Sequence, residues 1–382
     1  MPNGFNSVIV QKDRLLPGIH GLRGIAALAV VLFHLKHLSG IALPDFFGFI
    51  GRDFGFSVHL FFILSAFSLC YSTEWRAIRG GAWLQEYFVK RFFRIAPLFY
   101  FIIALEIARQ QIKSGGIIPG SNSILLETTF TFGFVPHSDF VWGGWSVGVE
   151  MIFYVIFPVL LLTLRTHRSA LVFLLASIVI CGSIRSALHM QHLSTIPQAI
   201  YDWSYFAPAS NICFFAIGIY AYRIAAHVKG SILATRIIAI LTVITIGSLV
   251  LFNAGKYLNG SWRNDIIVWG LAFMGLCIWQ SVSPSRFIAN WIFEYLGERS
   301  FSIYLLHPVI IDTSKVHIAR TYKLLEPYIG LNAFFVCAIL ILAFILFIAE
   351  LTYTLIEVPG IRFGRELTNK KHANKIIVTT IG

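Results

Sequence analysis

Apolar stretches long enough to cross a bilayer recur from Ile19 to Leu355 of this 382-residue chain, separated by short polar connections. A span needs about 20 mostly apolar residues. In hydrocarbon every backbone amide must find its partner inside the protein, so segments of this kind become helices. Those that qualify are 18–38, 55–73, 95–112, 144–164, 169–187, 203–222, 237–254, 266–282, 300–312 with a lead-in from Trp291, and 331–355. The expected fold is all-α, a polytopic transmembrane helical bundle of about ten spans in one integral-membrane domain covering 1–382. Composition agrees: 57% of residues are hydrophobic and 13% charged, against about 45–50% and about 25% in soluble domains.

A net charge of +12 could suit a nucleic-acid partner. Here the basic residues sit beside apolar segments, where retention of Lys and Arg on the cytoplasmic face explains them. With the N-terminus inside, Lys12, Arg14, Arg91, Arg94, Arg165 and a basic tail from Arg362 fall on one side, about nineteen basic residues against about ten on the other. Both termini are therefore expected in the cytoplasm, and no nucleic acid is expected as a partner. The opening "MPNGFNSVIVQKDRLLPG" lacks the apolar core of a cleaved signal, so the first span is expected to remain as an anchor. Cys70, Cys181, Cys213, Cys277 and Cys337 occur singly in different apolar segments, without the paired spacing of zinc or disulfide frameworks. His189 and His192 are three apart but have no further ligand type nearby, so no metal site is expected.

Ionisable side chains inside the spans cost several kcal/mol, which makes each one a functional hypothesis. In "GLRGIAALAVVLFHLKHL", Arg23 and His34 are eleven residues apart, which places them on one helix face about 16 Å apart along the axis. Read alone, Arg23 could equally snorkel to headgroups, and His34 could be an interhelical hydrogen-bonding residue. In "RFFRIAPLFY", Arg91 and Arg94 stand at the mouth of the third span, where guanidinium forks recognise phosphate or serve as flanking charge. Ser146, Glu150, Tyr154 and Pro158 of "GGWSVGVEMIFYVIFP" recur every fourth residue and form one stripe. Glu150 there is either a site carboxylate or the structural partner of a cation on another span, and Trp145 is an interfacial anchor or a site wall. Ser300, Tyr304 and His307 of "GERSFSIYLLHPVII" share a face. His307 precedes Pro308, a position pushed away from helical geometry, so a helix break and a pocket-lining role are expected there.

Together these stretches resemble the integral-membrane acyltransferase family 3, bacterial proteins that O-acylate cell-surface polysaccharides and some lipid or small-molecule acceptors. "GLRGIAALAVVLFH", "FFILSAFSL", "RFFRIAPLFY", "WSVGVEMIFYVIFP", "SFSIYLLH" and "IEVPG" occur in the family's order along nearly the whole chain. The resemblance implies His34 as the essential histidine, Arg23 as the first-span arginine, and Arg91 and Arg94 as the arginine pair before the third span. It also matches Trp145, Ser146, Glu150 and Tyr154, then Ser300, Tyr304 and His307, to two later motifs, and Glu357 with Pro359 to a terminal Glu-x-Pro. Ala66 stands where glycine is common and Met151 where a second glutamate often follows. The chain resembles the stand-alone type, located in the bacterial inner membrane.

The implied function is transfer of an acyl group, expected to be acetyl, from cytoplasmic acyl-CoA to a hydroxyl of a glycan or lipid-linked sugar. No tightly bound cofactor is expected; acyl-CoA is a co-substrate and membrane lipids are the surroundings. Arg23, Arg91 and Arg94 would hold the nucleotide phosphates. His34 would act as general base or transient acyl carrier, with Glu150 orienting it or offsetting its charge. Trp145, Ser146, Tyr154, Ser300, Tyr304 and His307 would line the substrate path, and residues 313–328 with "SDFVWGG" would form outer connections. The alternatives are a secondary transporter of a small anionic solute, and an acyltransferase acting on a small-molecule or lipid acceptor.

Overall fold

The computed structural model describes residues 16–79, 83–113, 119–135, 140–192, 205–252 and 265–381. Lys12, Arg14, Asp139 and Trp262, and the side chains of His189 and His192, lie outside the described residues. Among the described residues there is no β-strand. The helices are α1 Pro17–Ser39, α2 Ser57–Arg79, α3 Trp83–Lys113, α4 Ser121–Thr128, α5 Gly144–Thr163, α6 His167–His192, α7 Ile212–Val228, α8 Ile232–Leu251, α9 Asp265–Val282, α10 Trp291–Glu298, α11 Ser300–Ile329, α12 Ala333–Thr352 and α13 Val358–Ile381. A π-helical turn, Tyr353–Glu357, joins the last two.

Among the described residues, six stretches are long and apolar enough to cross a membrane: α1, 45–73 leading into α2, α5, α6, α8, and 300–369. The apolar helices 212–228 and 266–282 are shorter. Ile240, Leu241 and Ile244 of α8 and Leu340, Phe344 and Phe347 of α12 point outward and are exposed. Contiguous apolar surface of this kind is rare on proteins surrounded by water; here it is the lipid-facing side of a membrane protein.

Each apolar segment read from the sequence contains a helix, with differences at the ends; the segment 203–222 enters its long helix only at Ile212, and 203–204 and 253–254 lie outside the described residues. The third helix begins at Trp83 rather than residue 95, because its first turns carry the charged residues Glu86, Lys90, Arg91 and Arg94, which hydropathy excludes from a span. Residues 313–328, expected as an outer connection, instead continue α11 to Ile329. His307 and Pro308 do not break that helix, which runs through both. A proline inside a packed membrane helix is tolerated when neighbours compensate for the lost backbone bond.

Helix α1 lies at the centre, packed against α2, α9, α10 and α11. Glycines set how closely its neighbours approach. A Cβ at Gly24 would lie 2.4 Å from Phe293 O, and one at Gly297 would lie 2.0 Å from His20 O. Without side chains at these positions, α10 rests directly on the backbone of α1, the close approach that small residues permit between membrane helices. Since α11 follows α10 after a single residue, this contact also brings α11 alongside α1. Ala66 is accommodated from the opposite side: Gly218 of α7 faces it, where a Cβ would come within 2.8 Å of the Ala66 Cβ.

Candidate active site

The packing of α11 on α1 joins two histidines distant in sequence. His34 Nδ1 lies 3.1 Å from Val30 O and 2.9 Å from His307 Nε2. His307 is fully buried, with its own Nδ1 3.2 Å from Ile303 O. A carbonyl oxygen only accepts, so the proton of a neutral His307 is assigned to Nδ1 and its Nε2 is an acceptor. His34 then donates from Nδ1, towards His307 Nε2 and Val30 O. The lone pair left on His34 is at Nε2, on a ring that lines a chamber of about 900 Å³.

That chamber has largely aromatic walls, including Phe33, Trp142, Trp145, Phe206 and Tyr304. Trp145 is therefore a wall residue, 4.8 Å between ring centroids from Phe206. At the end where α1 begins lies a second chamber, of about 530 Å³, lined by Arg23, Lys90, Arg91, Arg94, Arg362 and Arg365 with Glu298 as the acidic residue of its walls. A cavity of about 80 Å³ sits between the two; it shares Tyr304 with the aromatic chamber and Arg23, Arg91 and Arg94 with the basic one. Arg23 and His34 thus line different chambers, with this narrow neck between them.

Ser146, Glu150, Tyr154 and Ser300 all reach the neck, which places the stripe of α5 against the face of α11 expected from their spacing. Glu150 accepts hydrogen bonds from Tyr154 Oη and, at 2.5 Å, from Ser65 Oγ. Ser146 Oγ donates to Tyr304 Oη at 2.8 Å, and Tyr304 Oη donates to Gly143 O at 3.2 Å. Ser300 Oγ donates to Gly297 O at 2.8 Å. Arg23 reaches Ser68 Oγ at 3.2 Å, and Arg91 lies 6.0 Å from the Tyr154 ring centroid with its Nε buried and unpartnered. Neither hydrogen bond to Glu150 comes from His34, the imidazole that it is expected to orient or whose charge it would offset. Glu150 is held by Ser65 and Tyr154 beside the arginines, and the group bonded to His34 is His307, placed behind the imidazole.

Other residues of the aromatic chamber escaped the sequence reading. His59, Glu106, Arg109 and Arg185 all line it. Arg109 binds Glu106 and also Asp312, the latter at 2.7 Å, so it ties α3 to α11. The rule that singled out Arg23 and His34 applies equally to His59, Glu106 and Arg185, which stand inside or at the end of apolar segments.

Fold and site together define a membrane protein of packed helices, with a histidine pair beside an aromatic chamber and a basic chamber beyond a narrow neck. A family model described as an acyltransferase domain matches residues 16–349, and the chain belongs to that acyltransferase family. The resemblance read from the motifs is thereby borne out. The peptidoglycan O-acetyltransferase OatA of Listeria monocytogenes is 26% identical over 376 residues, covering 91% of this chain and 56% of the relative. A Staphylococcus aureus (strain COL) protein, named by inference as an O-acetyltransferase, is 26% identical over 392 residues, covering 94% of this chain and 59% of its own length. The chain spans a little over half the length of these curated relatives. No solved structure matches it.

Proposed function

We propose that the chain is an O-acyltransferase of the bacterial inner membrane. It crosses about ten times with both termini in the cytoplasm, and moves an acyl group from acyl-CoA to a hydroxyl of a cell-surface glycan or lipid-linked sugar. The basic chamber then opens to the cytoplasm and the aromatic chamber to the outside. The observation that carries this reading is the contact between His34 Nδ1 and His307 Nε2 at 2.9 Å, which leaves a basic nitrogen on the chamber-lining ring.

Acyl transfer to a hydroxyl requires removal of its proton and departure of the thiolate. With His34 as general base, Nε2 takes the hydroxyl proton as the oxygen attacks the thioester carbonyl. The carbon–sulfur bond then breaks, and the proton passes from Nε2 to the leaving thiolate. With His34 as carrier, Nε2 attacks the carbonyl first and expels the thiolate; the acceptor oxygen then attacks the acyl carbon, the carbon–nitrogen bond breaks, and the hydroxyl proton passes to the thiolate. In both routes the proton on Nδ1 stays with His307 as its acceptor, the orienting role that an acid has beside a catalytic histidine.

Arg23, Arg91 and Arg94 suit the phosphates of the donor because guanidinium forks bind phosphate oxygens in pairs. The distance from Arg23 to His34, about 16 Å along the helix, calls for a donor whose reactive end is far from its charged head. Aromatic walls such as Trp142 and Trp145 suit the apolar faces of a sugar ring.

The test is transfer of label from acetyl-CoA to the lipid and glycan fractions of membranes containing the wild-type chain or His34→Ala. Label should move only with the wild type while membrane abundance stays equal. A fully active His34→Ala protein would overturn the assignment.

A further inference from the structure

Most charges in the aromatic chamber are neutralised by neighbours. Arg52 forms a two-pronged pair with Asp53 at 2.9 and 2.7 Å, and Arg109 is held by Glu106 and Asp312. Arg185 differs. It is 7% exposed and lines the chamber, yet its hydrogen bonds run to the neutral oxygens of Ser210 (2.9 Å) and Asn211 (3.5 Å). Its Nε is buried without a partner. The guanidinium carbon lies 4.8 Å from the Tyr205 ring centroid, so one face rests on an aromatic ring. Among the described residues no carboxylate pairs with it.

His59 lines the same chamber. It is 1% exposed; the Phe56 backbone and the Asn211 side chain lie beside its ring, but neither completes a well-formed hydrogen bond with it. A buried cation without a counter-charge and a buried imidazole with idle nitrogens are both expensive to maintain in a low-dielectric wall. Two such groups on one chamber point to a ligand that supplies what they lack.

We infer that Arg185, with His59 beside it, is a subsite for an oxyanion carried by the acyl acceptor, so that the acceptor is an acidic glycan unit rather than a neutral one. This rests on the acyltransferase reading for the word acceptor, but the anion site can be measured without any transfer. A carboxylate on the sugar and a phosphate on its anomeric carbon present the same chemistry to a guanidinium fork.

The experiment uses the full chain in lipid nanodiscs and measures binding of glucose, glucuronate and glucose 1-phosphate by saturation-transfer NMR. At least one of the anions should bind about tenfold more tightly than glucose, as a charge-assisted hydrogen bond provides. The tighter anion identifies the source of the charge. Arg185→Gln should abolish the preference, and Arg185→Lys, which keeps the charge without the fork, should retain part of it. Should Arg185→Gln fail to fold, the wild-type preference and the lysine variant still decide. Equal binding of all three sugars, no binding of either anion, or an anion preference undiminished in Arg185→Gln overturns the proposal. Acetyl-CoA consumption in the same nanodiscs separates the two ideas: anion binding at Arg185 without consumption leaves the site and removes the transferase reading, while consumption without anion preference does the reverse.

Discussion

His34 and His307 stand 273 positions apart in the chain, and their ring nitrogens meet at 2.9 Å. Each ring also turns Nδ1 towards the carbonyl four residues earlier in its own helix, Val30 O for one and Ile303 O for the other. The result is a directed chain of hydrogen bonds, from His34 Nδ1 to His307 Nε2 and from His307 Nδ1 to Ile303 O, ending in a neutral acceptor. Only His34 Nε2 is left without a role in this network, and its ring is the one on the chamber wall.

A residue that acts by holding His34 in one tautomer should be replaceable by another acceptor. His307→Ala is expected to lower the rate of acyl transfer by about 10²–10⁴, the range lost when a catalytic histidine loses its base function or its orienting partner. His307→Gln, whose side-chain oxygen can accept from His34 Nδ1, should recover part of that loss at unchanged protein abundance. Single-turnover rates from labelled acetyl-CoA check both. Equal impairment in the two variants would mean that His307 fills space and does not orient.

The arginines of the basic chamber should affect donor binding and leave chemistry alone. Arg91→Gln and Arg94→Gln are expected to raise the KM for acetyl-CoA several-fold with little change in kcat, the signature of lost uniform binding. Added salt should weaken donor binding by the wild type more than by the double variant, because fewer charges remain to screen. Steady-state kinetics at two ionic strengths provide the comparison.

The seat of α10 on α1 depends on missing side chains. Gly297→Ala places a Cβ about where His20 O already lies, within 2.0 Å. Overpacking of this kind costs about 1–3 kcal/mol. The melting temperature of the purified protein in detergent should fall. Gly120→Ala, with no heavy atom within 4 Å of its Cβ position, should leave it nearly unchanged.

The tie between α3 and α11 should matter for stability as well. Glu106 is 2% exposed and binds Arg109, which also reaches Asp312. Glu106→Gln removes the charge while Asp312 still compensates Arg109, so the expected cost is about 1–3 kcal/mol, the range for one lost charged hydrogen bond. Glu106→Gln combined with Asp312→Asn strands the guanidinium, and about 3–5 kcal/mol is expected. Thermal unfolding of both variants in detergent measures the difference.

Hydropathy located the long apolar helices, though not the polar α4 and α13, because a segment in lipid must be apolar along its whole length and must bond its own backbone. It also singled out Arg23, His34 and Glu150, since charge within such a segment has to be justified by something other than solvation. The ends of α3 and α11 were hidden because their outer turns are charged and leave the apolar pattern, although the helical hydrogen bonds continue. Which polar groups meet was invisible as well: the spacing of Ser146, Glu150 and Tyr154 correctly places them on one face, but a face says nothing about its partner.

That partner is chosen by packing. Gly24 and Gly297 let α10 lie on α1, and α11 follows, so His307 and not Glu150 reaches His34. Periodicity along a helix is a local property of the chain and can be read from its letters. The pairing of two helices depends on the shapes of both surfaces at once, and these exist together only in the folded molecule.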